Sequence, residues 1–149
     1  MNTMKKSIIY GLLTALALII YFLIMKVLGL ETNFYLRIFN FVIIVSGVYI
    51  LLNSIIKSGS NVSYFEGFGA GFRLTLVAVI TFLAFMGLYT KFIDPSFVAV
   101  LEETGIWGSN ISIGQAAFAI FIEGMASGVV ISFAWMQYFK KYISSKSSV

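Results

Sequence analysis

The sequence contains no cysteine and no histidine, and only one proline among its 149 residues. The absence of cysteine excludes disulfides, thiolate metal sites and a cysteine nucleophile. The absence of histidine removes the commonest general base and the commonest metal ligand. Charge is also scarce, since six acidic and ten basic residues make up 11% of the chain. We therefore expect no enzymatic activity, no cofactor and no metal.

Hydrophobic residues are what the chain has in excess, at 60% of the total, with 17% aromatic residues. They form four blocks, at about 7–25, 36–56, 66–91 and 113–139, each near the roughly 20 residues that a helix needs to cross a bilayer. The sequence predicts an all-α, four-span transmembrane antiparallel helical bundle, with 1–149 as a single integral membrane domain. The first block also resembles a signal peptide, but its apolar run continues past the cleavage-like Ala15-Leu16-Ala17 to Met25.

The third loop, at about 92–112, is the longest of the three. Asp94-Pro95 is a typical helix start, with aspartate as the N-cap and proline at the first helical position. Gly105 is a plausible stop, and Trp107 suits the membrane interface. We predict a short interfacial helix within this loop.

The basic residues favour one orientation in the membrane. With both termini inside, three basic residues face outward (Lys26, Arg37 and Lys91), against seven that face inward (Lys5, Lys6, Lys57, Arg73, Lys140, Lys141 and Lys146). We therefore expect both termini to be cytoplasmic. We read the net charge of +4 as membrane topology and expect no nucleic-acid partner.

Glu123 is a carboxylate inside the fourth block, where an acid costs on the order of 2–3 kcal/mol. On a helical projection it lies opposite the bulky side chains, which are Phe118, Ile122, Met125, Val129, Phe133 and Met136. We expect Glu123 to be shielded from lipid and hydrogen-bonded. Tyr21, Ser46 and Thr81 come to a similar depth on the other helices and are the candidate partners.

Two pairs of glycines lie four residues apart: Gly67 with Gly71, and Gly124 with Gly128. Small residues at this spacing let helix backbones approach closely, so we predict that all four lie at helix–helix contacts. Both pairs follow a glutamate, Glu66 or Glu123. Inverted repeats are typical of transporters, but six residues with unmatched flanks are too few to establish one.

Glu66 and Arg73 are further candidate functional residues, seven positions apart in the third block. One interpretation places Glu66 among the lipid headgroups and extends Arg73 to the near interface. The other makes the two side chains the polar entrance to a cavity.

Two short motifs resemble a known family. They are Ser63-Tyr64-Phe65-Glu66-Gly67-Phe68, followed by Gly71-Phe72, and Phe92-Ile93-Asp94-Pro95-Ser96-Phe97. The chain resembles the domain of unknown function 4199, a family of small bacterial membrane proteins with four predicted spans. The resemblance implies a bacterial inner-membrane location. It brings no activity, substrate or catalytic residue.

Together these features favour a protein without catalysis that acts through helix packing, as an oligomer or as an accessory subunit of another membrane protein. The alternative is a small channel or transporter in which Glu123 serves the passage of a cation or proton. An intramembrane enzyme is disfavoured by the missing residue types. A continuous hydrated cavity at Glu123 would favour transport. Dry packing around Glu123 would favour a protein that acts through helix packing.

Overall fold

A computed structural model describes residues 2–30, 33–59, 61–96, 99 and 112–146. These residues form four α-helices: α1 (Thr3–Val27), α2 (Ile38–Lys57), α3 (Tyr64–Phe92) and α4 (Ile113–Lys146). A 3-10 helix, Phe34–Arg37, leads directly into α2. All four helices are long and apolar enough to cross a membrane, which confirms the predicted all-α four-span bundle. The predicted interfacial helix, with Gly105 and Trp107, lies outside the described residues.

Local sequence signals fix several helix ends. Ser63 caps α3 by accepting a hydrogen bond from the backbone N–H of Glu66 at 3.2 Å, the usual contact of an N-cap serine. At the end of α1, Gly29 adopts a left-handed conformation (φ 68°). The backbone N–H groups of Gly29 and Leu30 then donate to Lys26 and Met25, which satisfies the last carbonyls of the helix.

Helices α2 and α3 form the centre of the bundle, because each packs against all three other helices. Helices α1 and α4 lie on the outer sides and have no substantial contact with each other in the described part of the chain. Consecutive helices run antiparallel, so the neighbours α1 and α3 are parallel. The core is made of side chains with almost no exposed surface, among them Val48, Leu51, Leu52, Ile55, Leu74 and Met136.

The outer surface is as apolar as the core. Helix α1 alone exposes about half of the side chains of Leu12, Leu13, Leu16 and Ile24. A soluble monomer rarely carries an apolar surface of this extent, whereas lipid tails cover one without cost. The exposed residues therefore form the lipid-facing side of the bundle.

Polar contacts join the helices at both ends. Where α1 and α3 end, the Lys26 ammonium lies 2.7 Å from the Asp94 carboxylate. At the opposite end, Lys6 donates to the Ser54 carbonyl at 3.2 Å. The side-chain amide of Gln137 donates there to the Tyr64 hydroxyl at 2.9 Å. These contacts link α1 to α2 and α3, and α4 to α3, at the ends of the bundle.

We expect acid to weaken the Lys26–Asp94 contact. The hydrogen bond from Lys26, followed by that from the Ser96 hydroxyl, lowers the pKa of the Asp94 carboxyl below its ordinary value of 3.8. A lowered pKa means that the stabilisation is present above pH 3.8 and is lost as the pH falls through the lowered value. Asp94→Asn should therefore lower the melting temperature in detergent at pH 7 and have less effect at pH 3. An equal effect at both pH values would contradict this assignment.

Candidate functional site

The four helices enclose a half-open groove of about 210 Å³, many times the roughly 10–15 Å³ that a single water molecule needs. Its floor is apolar and comes from α1 and α3, and its two lips come from α2 and α4. It is lined by Leu18, Phe22, Arg37, Asn40, Phe41, Ile44, Val79, Phe82, Met86, Ile120, Glu123, Gly124 and Ser127.

The groove exists because α2 and α4 touch only along part of their length. The indole N–H of Trp135 donates to the Val45 carbonyl at 3.0 Å, and the Trp135 ring packs on Tyr49 with 4.8 Å between ring centres. Beyond this contact, toward the start of α2, the two helices separate. On the other side Gly124 keeps α4 against Val79 of α3. The groove therefore opens between α2 and α4.

Glu123 lies on the α4 lip of the groove, and its side chain is 61% exposed. The prediction that it is shielded inside the bundle is wrong. Gly124 and Gly128 do face α3, but Glu123 is turned about 100° from Gly124 on the helix, which places it at the edge of the contact. The bulky stripe was also misjudged at one position, since Met136 is fully buried.

The polar neighbour of Glu123 is Arg37, whose guanidinium lies 3.7 Å from the carboxylate. Two of the three predicted partners are occupied elsewhere: the Tyr21 hydroxyl donates to the Leu36 carbonyl, and the Ser46 hydroxyl to the Val42 carbonyl, each at 2.8 Å. In the sequence, Arg37 stands out only as one of the three basic residues predicted to face outward. In the same orientation the first half of the fourth block, which contains Glu123, also lies toward the outer side, and this shared depth is the sequence signal for the pair.

The Arg37–Glu123 pair lies level with the start of α2. Arg37 immediately precedes α2, which has 20 residues and ends at Lys57. At 1.5 Å per residue, α2 is about 30 Å long, which equals the usual thickness of the hydrocarbon core. Helix α4 has 34 residues and extends past the start of α2, and Glu123 lies in the first third of α4.

Asn40, one turn along α2 from Arg37, also lines the groove. Its side-chain carbonyl oxygen is covered by the protein and accepts no hydrogen bond from any residue that the structure describes. A buried acceptor without a donor costs roughly 1–3 kcal/mol. The groups that the groove offers to a ligand are therefore a cation and an anion above an apolar floor.

The other two candidate polar residues lie away from the groove. Glu66 is exposed at the opposite end of the bundle, where its carboxylate accepts a hydrogen bond from the Thr3 hydroxyl at 3.2 Å. Arg73 is half-buried, and its Nε atom is covered and has no hydrogen-bond partner among the described residues. Glu123, Glu66 and Arg73 therefore do not form one site.

The four predicted packing glycines lie along a single interface, between α3 and α4. A methyl group added to Gly67 would lie 2.6 Å from the Met136 sulfur, and one added to Gly71 would lie 2.5 Å from the Ser132 hydroxyl. Further along, the same methyl at Gly128 would overlap Thr75, and at Gly124 it would lie 2.6 Å from a Val79 methyl. Each glycine thus faces a larger residue of the other helix. Because glycine has no side chain, the backbones of α3 and α4 can approach closely at these positions.

This interface, which we call the α3–α4 ladder, has an internal symmetry. Its four contacts are Gly67 with Met136, Gly71 with Ser132, Thr75 with Gly128, and Val79 with Gly124. The glycines come from α3 in the first two contacts and from α4 in the last two. A half-turn rotation therefore exchanges the two Glu-Gly segments noted in the sequence.

The described residues contain no group of three or more acidic side chains that could hold a metal ion, and the chain has neither cysteine nor histidine. The fold and the groove define a class: a small helical-bundle protein with four membrane-spanning helices and a lateral groove. The family model described as "Protein of unknown function (DUF4199)" matches residues 9–141, and the chain belongs to this family. No curated protein and no solved structure matches it.

Proposed function

We propose that this protein is a non-catalytic membrane subunit that acts through contacts of its helices with lipid and with another membrane protein or a second copy of itself. The observation that carries the proposal is the dry core beside the groove. This core is a layer of five side chains without exposed surface: Val48, Leu51, Leu52, Leu74 and Met136. A continuous polar path through one chain would have to cross this layer.

The exposed face of α4 supports an interaction with a further helix. In the most apolar 18-residue stretch of α4 only 17% is buried, compared with 28–33% in the corresponding stretches of the other three helices. Ala126, Val130 and Ala134 follow one another at four-residue spacing on its exposed side. The two alanines suit close approach of a helix. Larger side chains of α4, among them Phe118, Ile122 and Phe133, are exposed as well and would add apolar contact area.

The position of the protein in the cell belongs to the same proposal. The seven-to-three excess of basic residues supports two cytoplasmic termini. The family resemblance supports the inner membrane of a bacterium. In this orientation the groove and the Arg37–Glu123 pair face the outer leaflet.

Disulfide cross-linking tests the α4 contact, because a chain without cysteine gives no background. We expect Val130→Cys to form a covalent dimer, or a covalent adduct with a co-purifying protein, when native membranes are oxidised. Leu13→Cys is the matched control, since its position on α1 is exposed to a similar degree, 54% compared with 63% for Val130. If neither variant cross-links and the chain purifies alone as a monomer, the subunit role is wrong.

A transporter is the second candidate, and the presence of Glu123 and Asn40 in one groove favours it. Two features weigh against it. Arg37 lies beside Glu123 and would repel a cation, and the groove ends on the dry core. A pH-driven flux in proteoliposomes that is lost in Glu123→Gln would establish transport in place of the subunit role.

A further inference from the structure

We propose that the groove binds one phospholipid whose zwitterionic headgroup carries a primary ammonium, with the phosphate at Arg37, the ammonium at Glu123, and an acyl chain on the apolar floor. This lipid has the headgroup chemistry of phosphatidylethanolamine. The inference deepens the proposed function by naming a lipid, and it holds equally for a monomer and for a subunit.

The position of the charges is the first support. The Arg37–Glu123 pair lies level with the start of α2, about 30 Å from Lys57 by helical rise, which is where lipid headgroups meet the hydrocarbon core. The floor residues Leu18, Val79 and Phe82 are apolar. A bound phospholipid would therefore meet polar groups at its head and apolar groups along its chain.

The second support is charge complementarity. Arg37 and Glu123 are 3.7 Å apart, and their side chains remain 44% and 61% exposed. Because a loose, exposed pair contributes little, each charge stays available to a ligand. A zwitterionic headgroup presents the same two charges in the complementary sense. An anionic headgroup would be attracted by Arg37 but repelled by Glu123, so the pair favours a ligand of zero net charge.

The third support is the open hydrogen-bonding capacity of the Glu123 carboxylate, whose side chain is 61% exposed. An alkylammonium group carries three N–H donors, so it can both neutralise this carboxylate and donate hydrogen bonds to it. A quaternary ammonium such as choline has no N–H group and can only neutralise the charge. The groove should therefore distinguish primary amines from choline, although both headgroups are zwitterionic.

Native mass spectrometry of the full chain, released from nanodiscs containing equal parts of phosphatidylethanolamine, phosphatidylcholine and phosphatidylglycerol, tests the proposal. We expect one retained phosphatidylethanolamine, preferred over the other two by about tenfold, the size of one hydrogen bond to a charged group. Glu123→Gln should remove most of this preference, so that the three lipids are retained to similar extents. Glu66→Gln is the matched control, because Glu66 is also an exposed glutamate before a glycine, and it should leave the preference unchanged.

A lipid series on the unaltered chain gives the same test without any variant. Retention should fall with each methyl group added to the headgroup nitrogen, since each addition removes one N–H donor. Equal retention of all three headgroups, a preference for phosphatidylglycerol, or a groove filled by a second copy of the chain would each overturn the inference. Because the readout is lipid selectivity, failure of the Val130→Cys cross-link leaves it unaffected, and the reverse also holds.

Discussion

Gly128→Ala should lower the free energy of unfolding by about 1–3 kcal/mol, the usual cost of overpacking a closed contact. The added methyl group would overlap the side chain of Thr75, lying 2.7 Å from its Cβ. Thr75 is fully buried, and its hydroxyl donates to the Gly71 carbonyl at 3.1 Å. A β-branched side chain held in this way cannot move aside, so the two helices must separate. Gly128→Leu should cost more.

Two glycines of α3 provide a comparison for the stability loss expected of Gly128→Ala. Gly67→Ala should cost less, because the atoms that it meets are the end of the flexible Met136 side chain. Gly87→Ala should be neutral or stabilising by up to about 1 kcal/mol, since Gly87 is exposed, has open space around it and lies in a helix. Thermal unfolding in one detergent measures all three. If Gly128→Ala melts with or above Gly87→Ala, the α3–α4 ladder does not determine stability.

Trp135→Ala should cost about 3 kcal/mol or more, the range found for large aromatic side chains in packed positions. The ring joins α4 to α2 through a hydrogen bond to the Val45 carbonyl and through its contact with Tyr49, and it also packs on Phe139 of α4. Trp135→Phe keeps a six-membered aromatic ring but loses the N–H donor and the rest of the indole, so it should cost less than the alanine variant, on the order of 1 kcal/mol for the hydrogen bond plus the smaller loss of packing.

Denaturant unfolding followed by circular dichroism separates these two contributions to the Trp135 effect. Equal losses for the alanine and phenylalanine variants would mean that the six-membered ring kept by phenylalanine contributes nothing to the contact. No loss in either variant would mean that the α2–α4 contact is not needed for folding. Tyr138→Ala is a suitable control, because the Tyr138 ring is 47% exposed beside the same cluster.

The fold was accessible from the sequence because the membrane imposes strong and simple constraints. Four apolar blocks of spanning length predict four helices, and signals such as the Ser63 cap are read locally. The glycine spacing also indicated close contacts. The spacing does not predict the register of these contacts. The residue that faces Gly71 depends on how far α4 is shifted along α3.

The candidate site was less accessible for a geometric reason. A helical projection separates the two sides of a helix, but Glu123 lies at the edge between them. The predicted span of about 113–139 is shorter than α4, which continues to Lys146, so it does not fix the level of Glu123 against α2. Arg37 stands out in the sequence only as an outward-facing basic residue. A pair between the start of one helix and the interior of another depends on how far the helices are shifted along each other, which no single block reveals.

The α3–α4 ladder also fixes the register of the two helices. Sliding α4 by one turn in one direction would place Gly128 opposite Gly71 and leave a gap, and would bring Ile120 against Val79. Sliding it in the other direction would set Ser132 against Thr75, a contact without glycine. The observed register is the one in which every contact of the ladder places a glycine opposite a larger side chain. Close approach of the two backbones along the whole ladder therefore depends on this one alignment.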